Sequence, residues 1–414
     1  MFRELLTLDE AKKTIQQHFS PKLSRLEDVP LLEAWDRVLA EDVVAELDIP
    51  PFSRSTVDGY AVRAEDTHGA EENKPIKLKV CGVVNAGEMP TVAVKKGSAA
   101  EIVTGAPLPK GADSVVMVED TEQRDSELLV YGSVVKDENV MKAGSDIRKG
   151  ETVVKAGQRL GSREIGVLAA VGLAKIRVYA SPRVAVLSTG AEVVEPGAKL
   201  LSAKIFDINA HSLSAAVFEC GGKPICLGVF PDNMEEIRNA LKKALSLTEL
   251  VVTSGGVSVG PKDFMPRALD SLGKPGVIVC GVAIKPGKPV TVASVSGKLI
   301  FSLPGHPASA LLVFHLLVRP LIMALSGRKA DENSAVRAFA GMKMFPAKGR
   351  RTFVMVRLRR EGAERLVAEP VESGASGAIT TLSKADGFVE IGENQQFVDV
   401  DEEVSVRLLK DSVS

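Results

Sequence analysis

The chain has 414 residues, of which 45% are hydrophobic and 25% are charged, a composition typical of a folded globular protein. This length exceeds what one hydrophobic core serves, so we expect several domains. The 52 basic and 53 acidic residues nearly cancel. That balance disfavours a general binder of nucleic acid or of an anionic membrane surface.

The apolar segments and the cysteines exclude further classes. The most apolar run, residues 308–318, is shorter than the roughly 20 residues that a bilayer-spanning helix needs, so we expect no membrane span. Acidic residues interrupt the first ten positions, where a signal peptide would need an apolar core, so we expect a cytoplasmic protein. No CxxC pair is present, and apolar neighbours predict buried thiols rather than a disulfide or zinc framework at Cys81, Cys220, Cys226 and Cys280.

The first 180 residues predict a helical domain interrupted by a β domain. Thr7-Leu-Asp-Glu10 is a capping box that opens a helix, which Ser20-Pro21 closes, and a second helix is expected around residues 32–39. Between residues 51 and 139, short apolar runs separated by Gly, Pro and Asp predict strands, and helical spacing returns at residues 162–171. We therefore assign residues 1–47 and 146–180 to a discontinuous helical linker domain and residues 48–145 to an inserted β domain.

The following segment alternates strands and helices. Continuous apolar runs predict buried strands at residues 184–187, 225–230 and 250–252, and helices follow Asn209, cover residues 234–245 and cover residues 307–325. This alternation is typical of a mostly parallel sheet with covering helices, which we assign to residues 181–329. Short alternating runs then predict an all-β domain over residues 330–414.

Ligands of open parallel sheets bind beyond the carboxyl ends of the strands, so the loops after the strands are the first candidates. The loop that begins Ser254-Gly-Gly has adjacent glycines and hydroxyls, a pattern that binds anions through backbone N–H groups, although such glycines are as often present for steric reasons. No P-loop or GxGxxG pattern occurs, which disfavours an ordinary nucleotide-binding enzyme. The polar loops are Ser188-Thr-Gly-Ala-Glu192, Pro231-Asp-Asn233, Ser254 to Asp263, and Leu303-Pro-Gly-His-Pro-Ala-Ser309.

A second anion-binding motif is Lys285-Pro-Gly-Lys-Pro289. Proline fixes φ beside both lysines, and two ammonium groups so close repel one another unless an anion lies between them. The alternative is a solvated basic turn. Predicted strands on both sides of the turn favour the anion site.

Other polar residues are ambiguous from the sequence alone. Asp58 stands in Ser55-Thr-Val-Asp-Gly-Tyr60, and a turn aspartate beside glycine is usually structural. Asp146 and Thr104 lie in similar Gly-containing turns. His306 has no second histidine near it in sequence, so we expect it to brace its loop rather than bind a ligand.

Taken together, these motifs identify a family resemblance. The order and spacing of Ser-Thr-Val-Asp-Gly-Tyr, Val-Thr-Gly-Ala-Pro-Leu-Pro, Ser-Thr-Gly-Ala-Glu, Ser-Gly-Gly-Val-Ser-Val-Gly, Ile-Lys-Pro-Gly-Lys-Pro and Leu-Pro-Gly-His-Pro-Ala-Ser resemble the molybdopterin molybdenumtransferases, the MoeA and gephyrin E-domain family. The likeness runs from about Leu6 to the C-terminal β domain. It implies a multidomain α/β plus β fold in which the α/β domain binds molybdopterin and the C-terminal domain is a β barrel.

The resemblance also implies an activity. Adenylylated molybdopterin is bound, its pyrophosphate is cleaved to release AMP with Mg²⁺, and molybdate is inserted into the dithiolene. A homodimer is implied, in which the first two domains of one chain complete the α/β site of the other. Transient contacts with the molybdopterin adenylyltransferase and with apo-molybdoenzymes are implied as well, without nucleic acid or membrane.

Residue roles carry over by position. The resemblance implies that Mg²⁺ binds Glu192, Asp232 and Asp263, and that catalysis involves Asp58, Thr104, Asp146 and Asp263. Molybdate would bind Lys285, Lys288, Ser309 and Arg350. The remaining substrate-binding positions are Ser188, Thr189, Gly190, Ser254, Gly255, Gly256, Ser258, Pro304, Gly305 and Pro307.

Departures from common family patterns affect the pocket. Gly281 stands where many members have lysine, His306 where many have asparagine, and Met141 and Ser145 alter the stretch before Asp146. Three alternatives stay open: an inactive pterin-binding scaffold, a homologue that inserts tungstate, and the adenylyl-transferring partner enzyme. The retained carboxylates and lysines disfavour the scaffold, and the additional domains disfavour the adenylyltransferase.

Overall fold

The computed structural model describes residues 5–23, 25–256, 264–329, 335–362, 365–371 and 379–409. The chain divides into two compact units. The large unit comprises residues 1–27, 36–38 and 179–414, and the small unit comprises residues 28–35 and 39–178. The boundaries of the four domains assigned from the sequence stay a prediction.

The small unit contains a mixed six-stranded sheet. Its strands follow the spatial order Ser114–Met117, Gly59–Val62, Ser98–Ile102, Ile76–Val84, Glu127–Val130 and Thr121–Arg124. Each predicted strand in this region is present, with slightly different ends. Apolar side chains pack on both faces of this sheet. Outside the sheet are the helix Ser162–Ala170 and the short strands Leu26–Pro30, Val43–Val44, Arg54–Ser55, Val140–Met141, Thr152–Val154 and Lys175–Tyr179.

The large unit contains the predicted, mostly parallel sheet. Its spatial order is Lys223–Phe230, Arg183–Thr189, Leu250–Ser254, Lys298–Leu303, Thr291–Val295 and Pro275–Cys280. The first four strands are parallel, and Thr291–Val295 runs antiparallel to both of its neighbours. The carboxyl ends of the central strands therefore meet at one edge.

Helices cover both faces of this sheet because alternate strand residues point in opposite directions. Val184 and Val186 pack against one set of helices, while Ala185 and Leu187 pack against the other. The first set is Leu8–His18, Asn209–Glu219, Pro307–Val313 and Arg319–Leu325, and the second is Met234–Leu247 and Phe264–Asp270. The capping box at Thr7 and Glu10 is present as predicted. Its helix packs in the sheet's own core, whereas the sequence grouped it with residues 146–180.

The C-terminal part is a closed barrel. Its strands are Ala335–Ala340, Arg351–Glu361, Arg365–Pro370, Gly387–Ile391 and Glu403–Leu408, and the pairing of Arg351–Glu361 with Gly387–Ile391 closes the ring. The two-residue strand Ile284–Lys285 also pairs with Arg351–Glu361, so the basic motif contacts the barrel directly. The short helix Thr380–Lys384 and the paired strands Val193–Val194 and Ile205–Phe206 complete the unit.

Two local predictions were wrong. The helix expected around residues 32–39 is a single 3₁₀ turn, Leu31–Ala34, because Asp36 adopts a left-handed conformation with φ of 65° that a helix does not accommodate. Among the cysteines only Cys220 is buried, since the other three occupy outward-facing strand positions. Burial raises the pKa of the Cys220 thiol to about 12.

The most apolar helical segment has the bounds that the sequence predicted. Residues 307–325 form one continuous 19-residue run, in which the π-helical segment Phe314–Val318 lies between the α-helices Pro307–Val313 and Arg319–Leu325. By length and composition alone this run is sufficient to cross a membrane. Buried positions make up 67% of its most apolar window, as in a core helix.

The exposed and buried faces of the helix Met234–Leu247 generate a stability prediction. Leu241 is fully buried against the sheet, while the next residue, Lys242, is exposed. Leu241→Ala leaves a cavity, so we expect it to lower the free energy of unfolding by about 2–5 kcal/mol. Denaturant unfolding measures the change, with Lys242→Ala as the control. A loss below 0.5 kcal/mol for Leu241→Ala, about the level of an ordinary surface substitution, would contradict the packing described.

Candidate functional site

A cleft of about 1280 Å³ opens at the carboxyl ends of the central parallel strands, the edge expected to bind a ligand. It lies within the large unit. The predicted site residues that line it are Ser188, Thr189, Gly190, Glu192, Asp232, Ser254, Gly255, Gly256, Pro304, Gly305 and Pro307. The structure thus brings three of the four polar loops, and the start of the Ser254 loop, to one site. Ser258 and Asp263 lie outside the described residues.

The floor of the cleft is polar and buried. The hydroxyl oxygens of Ser188 and Thr189 have no hydrogen-bond partner among the described residues, although each side chain is almost fully buried. Buried polar groups without partners are rare and costly in folded proteins. A polar ligand in the cleft would satisfy them.

Steric crowding explains why the two residues after Ser254 are glycines. A Cβ at Gly255 would lie 2.2 Å from the carbonyl oxygen of Thr189, and φ at Gly255 is +92°. Gly256 also has a positive φ, and a Cβ there would lie 3.0 Å from Oγ1 of Thr189. Side chains at either position would push the loop away from Thr189, so both glycines are needed for this close approach.

Two exposed carboxylates, Glu192 and Asp232, line the cleft. Asn233 holds the second of these loops in place, because its side chain caps the helix Met234–Leu247 by accepting from the N–H groups of Glu235 and Glu236. Carboxylate oxygens are suitable ligands for Mg²⁺. No group of three or more metal-ligating side chains occurs in the described ranges, and the third predicted ligand, Asp263, is outside them.

His306 does not brace its loop. Its ring makes no hydrogen bond to any residue that the structure describes, and it borders the cleft. Asn209 braces the loop instead, because its amide nitrogen donates to the carbonyl oxygen of Gly305 at 2.7 Å and to Oγ of Ser254 at 2.6 Å. The expectation for His306 is therefore corrected.

The basic turn, residues 285–289, borders the cleft through Pro289. Lys285 is exposed, Lys288 is partly buried, and neither lines the cleft itself. Gly287 packs so closely on the helix Pro307–Val313 that a Cβ there would lie 2.4 Å from Val313. Ser309 is one helical turn before Val313, on the same face.

Arg350 belongs to the same neighbourhood. The N–H of Arg351 donates to the carbonyl oxygen of Ala283, and Lys285 pairs with Thr352 in the ladder between the turn and the barrel. The backbones of Arg350 and Lys285 are therefore close, and three predicted oxyanion ligands, Lys285, Lys288 and Arg350, come from adjoining segments.

In the small unit, Asp58 and Thr104 are hydrogen-bonded to each other. Oδ1 of Asp58 accepts from the N–H of Thr104 at 2.6 Å and from its hydroxyl at 2.8 Å. The backbone hydrogen bond, followed by that from the hydroxyl, holds the pKa of the Asp58 carboxyl below its usual range. Gly59 is required beside it because a Cβ would lie 1.9 Å from the carbonyl oxygen of Val116. Asp146 is exposed, and its N–H donates to the carbonyl oxygen of Ile49.

Two cleft residues, Asp207 and Asn209, were not predicted from the sequence. Both are buried, both line the cleft, and each has one side-chain oxygen without a partner in the described part of the chain. The available signal was an Asp-x-Asn pattern between a short strand and a helix. From the sequence, Asn209 marks only the start of that helix.

One departure from the family pattern has a structural reason. Gly281 has a φ of +81°, and a Cβ there would lie 2.7 Å from the side chain of Leu5. A lysine at this position would require both a strained backbone and movement of Leu5. The surroundings of Gly281 therefore suit glycine.

Comparisons with known proteins cover nearly the whole chain. Residues 6–172 match the family described as MoeA N-terminal region (domain I and II), residues 185–324 match a probable molybdopterin binding domain, and residues 337–409 match the MoeA C-terminal region (domain IV). The molybdopterin molybdenumtransferase of Haemophilus influenzae is 33% identical over 97% of this chain and 98% of its own length. That of Bacillus subtilis is 32% identical over 94% of this chain and 90% of its own length.

A solved structure has the same fold. The molybdopterin biosynthesis MoeA protein from Pyrococcus horikosii superimposes with a TM-score of 0.83 at 42% identity, covering 99% of this chain and all of that one. The multidomain α/β and β-barrel fold expected from the sequence is confirmed.

The glycine loop generates a prediction. We expect Gly255→Ala to lower the free energy of unfolding by at least about 1–3 kcal/mol, because it adds a left-handed non-glycine residue and a steric clash with Thr189. Thermal unfolding measures the loss. Gly392→Ala is the control, since a Cβ there meets no atom within 4 Å and φ is unstrained. Equal midpoints for the two variants would disprove the close approach.

Proposed function

This chain belongs to the MoeA family of molybdopterin molybdenumtransferases, enzymes of molybdenum cofactor biosynthesis, and we propose that it completes the cofactor. In this proposal it binds adenylylated molybdopterin, cleaves the pyrophosphate linkage to release AMP, and inserts molybdate into the dithiolene. The observation that carries the proposal is the cleft itself, in which buried polar atoms without partners lie beside exposed carboxylates and next to the basic turn.

Three parts of the site suit three parts of the proposed substrate. The polar floor would accept the pterin, whose edge is rich in hydrogen-bonding groups. The N–H of Gly256 suits a phosphate oxygen, whereas the N–H of Gly255 donates to the carbonyl oxygen of Leu303. The apolar side chains Phe206, Ile208 and Met265 also line the cleft and offer contact area for ring faces.

Mg²⁺ is proposed at the carboxylate rim. Glu192 and Asp232 would hold the ion together with Asp263. When bound, the ion would neutralise the charge that develops on the pyrophosphate during cleavage. The protein's own contribution is to present Glu192 and Asp232 after neighbouring strands, with the Asp232 loop fixed by the Asn233 cap.

Molybdate is proposed at the basic turn. The oxyanion carries two negative charges, and Lys285, Lys288, Arg350 and Ser309 would supply cations and a hydroxyl donor from adjoining segments. Tungstate has nearly the same shape and charge, so the same residues would bind it. The choice of metal therefore needs a direct comparison of the two oxyanions.

A homodimer is proposed as the active form. Asp58 and Thr104 of one copy would complete the cleft of the other, and the exposure and lowered pKa of Asp58 suit a carboxylate that acts on a partner's ligand. Transient contacts with the adenylyltransferase that supplies the substrate and with the apo-enzymes that receive the product belong to the same proposal, as does a cytoplasmic location.

The function is tested by measuring AMP release from adenylylated molybdopterin with Mg²⁺. We expect release to depend on molybdate, to stop when a chelator removes the metal, and to need no ATP. Parallel reactions with tungstate test the metal preference. Tight pterin binding without AMP release under any of these conditions would contradict the transferase proposal and favour the scaffold.

The basic turn generates a prediction for the oxyanion. Lys285→Ala with Lys288→Ala should raise the molybdate concentration for half-maximal AMP release by at least about tenfold, because two charged donors are lost. The control is Lys242→Ala with Lys243→Ala, which removes the same charge from an exposed helix face away from the cleft. If both double variants have the same molybdate dependence, the lysines do not bind the oxyanion.

Mixed dimers test the shared site. A copy with Asp58→Ala and a copy with Glu192→Gln should each be inactive alone. If Asp58 acts in the partner's site, one of the two sites in each mixed dimer is intact, and random mixing restores about a quarter of the wild-type activity. Each variant mixed with wild-type chains is the control. No recovery in verified mixed dimers would show that Asp58 acts within its own chain.

A further inference from the structure

Two buried side chains in the cleft present hydrogen-bond acceptors that the protein leaves unused. Asp207 is 4% exposed and Asn209 is 8% exposed, and both line the cleft. Oδ2 of Asp207 and Oδ1 of Asn209 have no hydrogen-bond partner among the described residues. Neither oxygen takes part in a hydrogen bond within the described part of the chain, so each can accept one from a ligand.

The orientation of each group is fixed by its other hydrogen bonds. Oδ1 of Asp207 accepts from the N–H of Ala210 at 3.0 Å, at the start of the helix Asn209–Glu219. The amide nitrogen of Asn209 uses both hydrogens, one toward Oγ of Ser254 and one toward the carbonyl oxygen of Gly305. That carbonyl accepts only, so the amide cannot be reversed. Both unused atoms are therefore acceptors.

The ligand group that matches two acceptors is a pair of N–H donors. A cation is the other candidate, but the described residues contain no cluster of three metal-ligating side chains, and Oδ1 of Asp207 is occupied by a backbone N–H. A pterin ring carries such a donor pair in its 2-amino group and its N3–H, side by side on one edge. Its neighbouring 4-oxo oxygen accepts, and the hydroxyls of Ser188 and Thr189, also unpartnered, can donate.

We propose that Asp207 and Asn209 recognise the 2-amino and N3–H edge of the pterin and so select the pterin ring over its 2-oxo analogue. This inference rests on the function proposed above. It assigns substrate specificity to two residues that are distinct from the carboxylate rim and from the basic turn.

A single substitution should invert the selectivity. In Asp207→Asn, the N–H of Ala210 requires the amide oxygen, so the amide NH₂ must face the cleft. The amide NH₂ and the 2-amino group of a pterin would then face each other as two donors, which is unfavourable. In lumazine, the 2,4-dioxo analogue, the 2-oxo oxygen would accept from the amide NH₂. If Asp207 had only a structural role, Asp207→Asn would not reverse the order of the pterin and lumazine affinities.

The experiment titrates the intact protein with fluorescent pterin and with lumazine. We expect the wild type to bind pterin at least about tenfold more tightly than lumazine, since an unpaired buried acceptor is costly. Asp207→Asn should reverse this order. Asp270→Asn is the matched control, because Asp270 also accepts a backbone N–H, from Val277, but lies outside the cleft.

Outcomes separate this inference from the proposed function. The inference is overturned if the wild type binds pterin no more tightly than lumazine, or binds neither. This outcome does not depend on whether Asp207→Asn folds. Equal weakening of both ligands in a folded Asp207→Asn protein also overturns it. Molybdate-dependent AMP release alongside either result leaves the proposed function standing. Selective pterin binding without AMP release supports the inference and refutes the transferase.

Discussion

The side-chain amide of Asn209 is the contact on which the cleft depends. It joins the start of one helix to Ser254, at the end of a central strand, and to Gly305, in the loop before the helix Pro307–Val313. Three segments that are distant in sequence are thereby held at fixed separation. Because both amide hydrogens are used in this bracing, the only polar side-chain atom of Asn209 that stays unused is its oxygen, an acceptor.

The sheet edge separates three kinds of chemistry. Buried acceptors and hydroxyls form the floor, exposed carboxylates lie at the rim, and lysines lie on a turn between the α/β sheet and the barrel. The proposed ligands, a ring with donors, a metal-bound pyrophosphate and an oxyanion, would require different surroundings, which one homogeneous pocket would not supply. The barrel strand that pairs with residues 284–285 thus has a direct part in positioning the proposed oxyanion site.

Periodicity and turn chemistry were sufficient to predict most elements of the fold. Continuous apolar runs located the parallel strands, and Thr7 and Pro307 marked the starts of helices. The prediction failed where the backbone conformation of a single residue decides whether a helix forms. At Asp36, a positive φ excludes the helix that apolar spacing favoured. It failed again for cysteines on strands, because apolar neighbours in sequence do not reveal which face of a strand is exposed.

Within the site, motif residues were predictable and their supporting residues were not. The glycines at 255 and 256 were recognised, but only the approach of Thr189 explains them. Asp207 and Asn209 were missed because their significance lies in atoms without partners, which a sequence does not display.

The most direct measurement is a crystal structure of the protein with adenylylated molybdopterin. The account predicts pterin nitrogens within about 3.2 Å of Oδ2 of Asp207 and Oδ1 of Asn209. A ligand bound elsewhere, with ordered water on both oxygens, would contradict it.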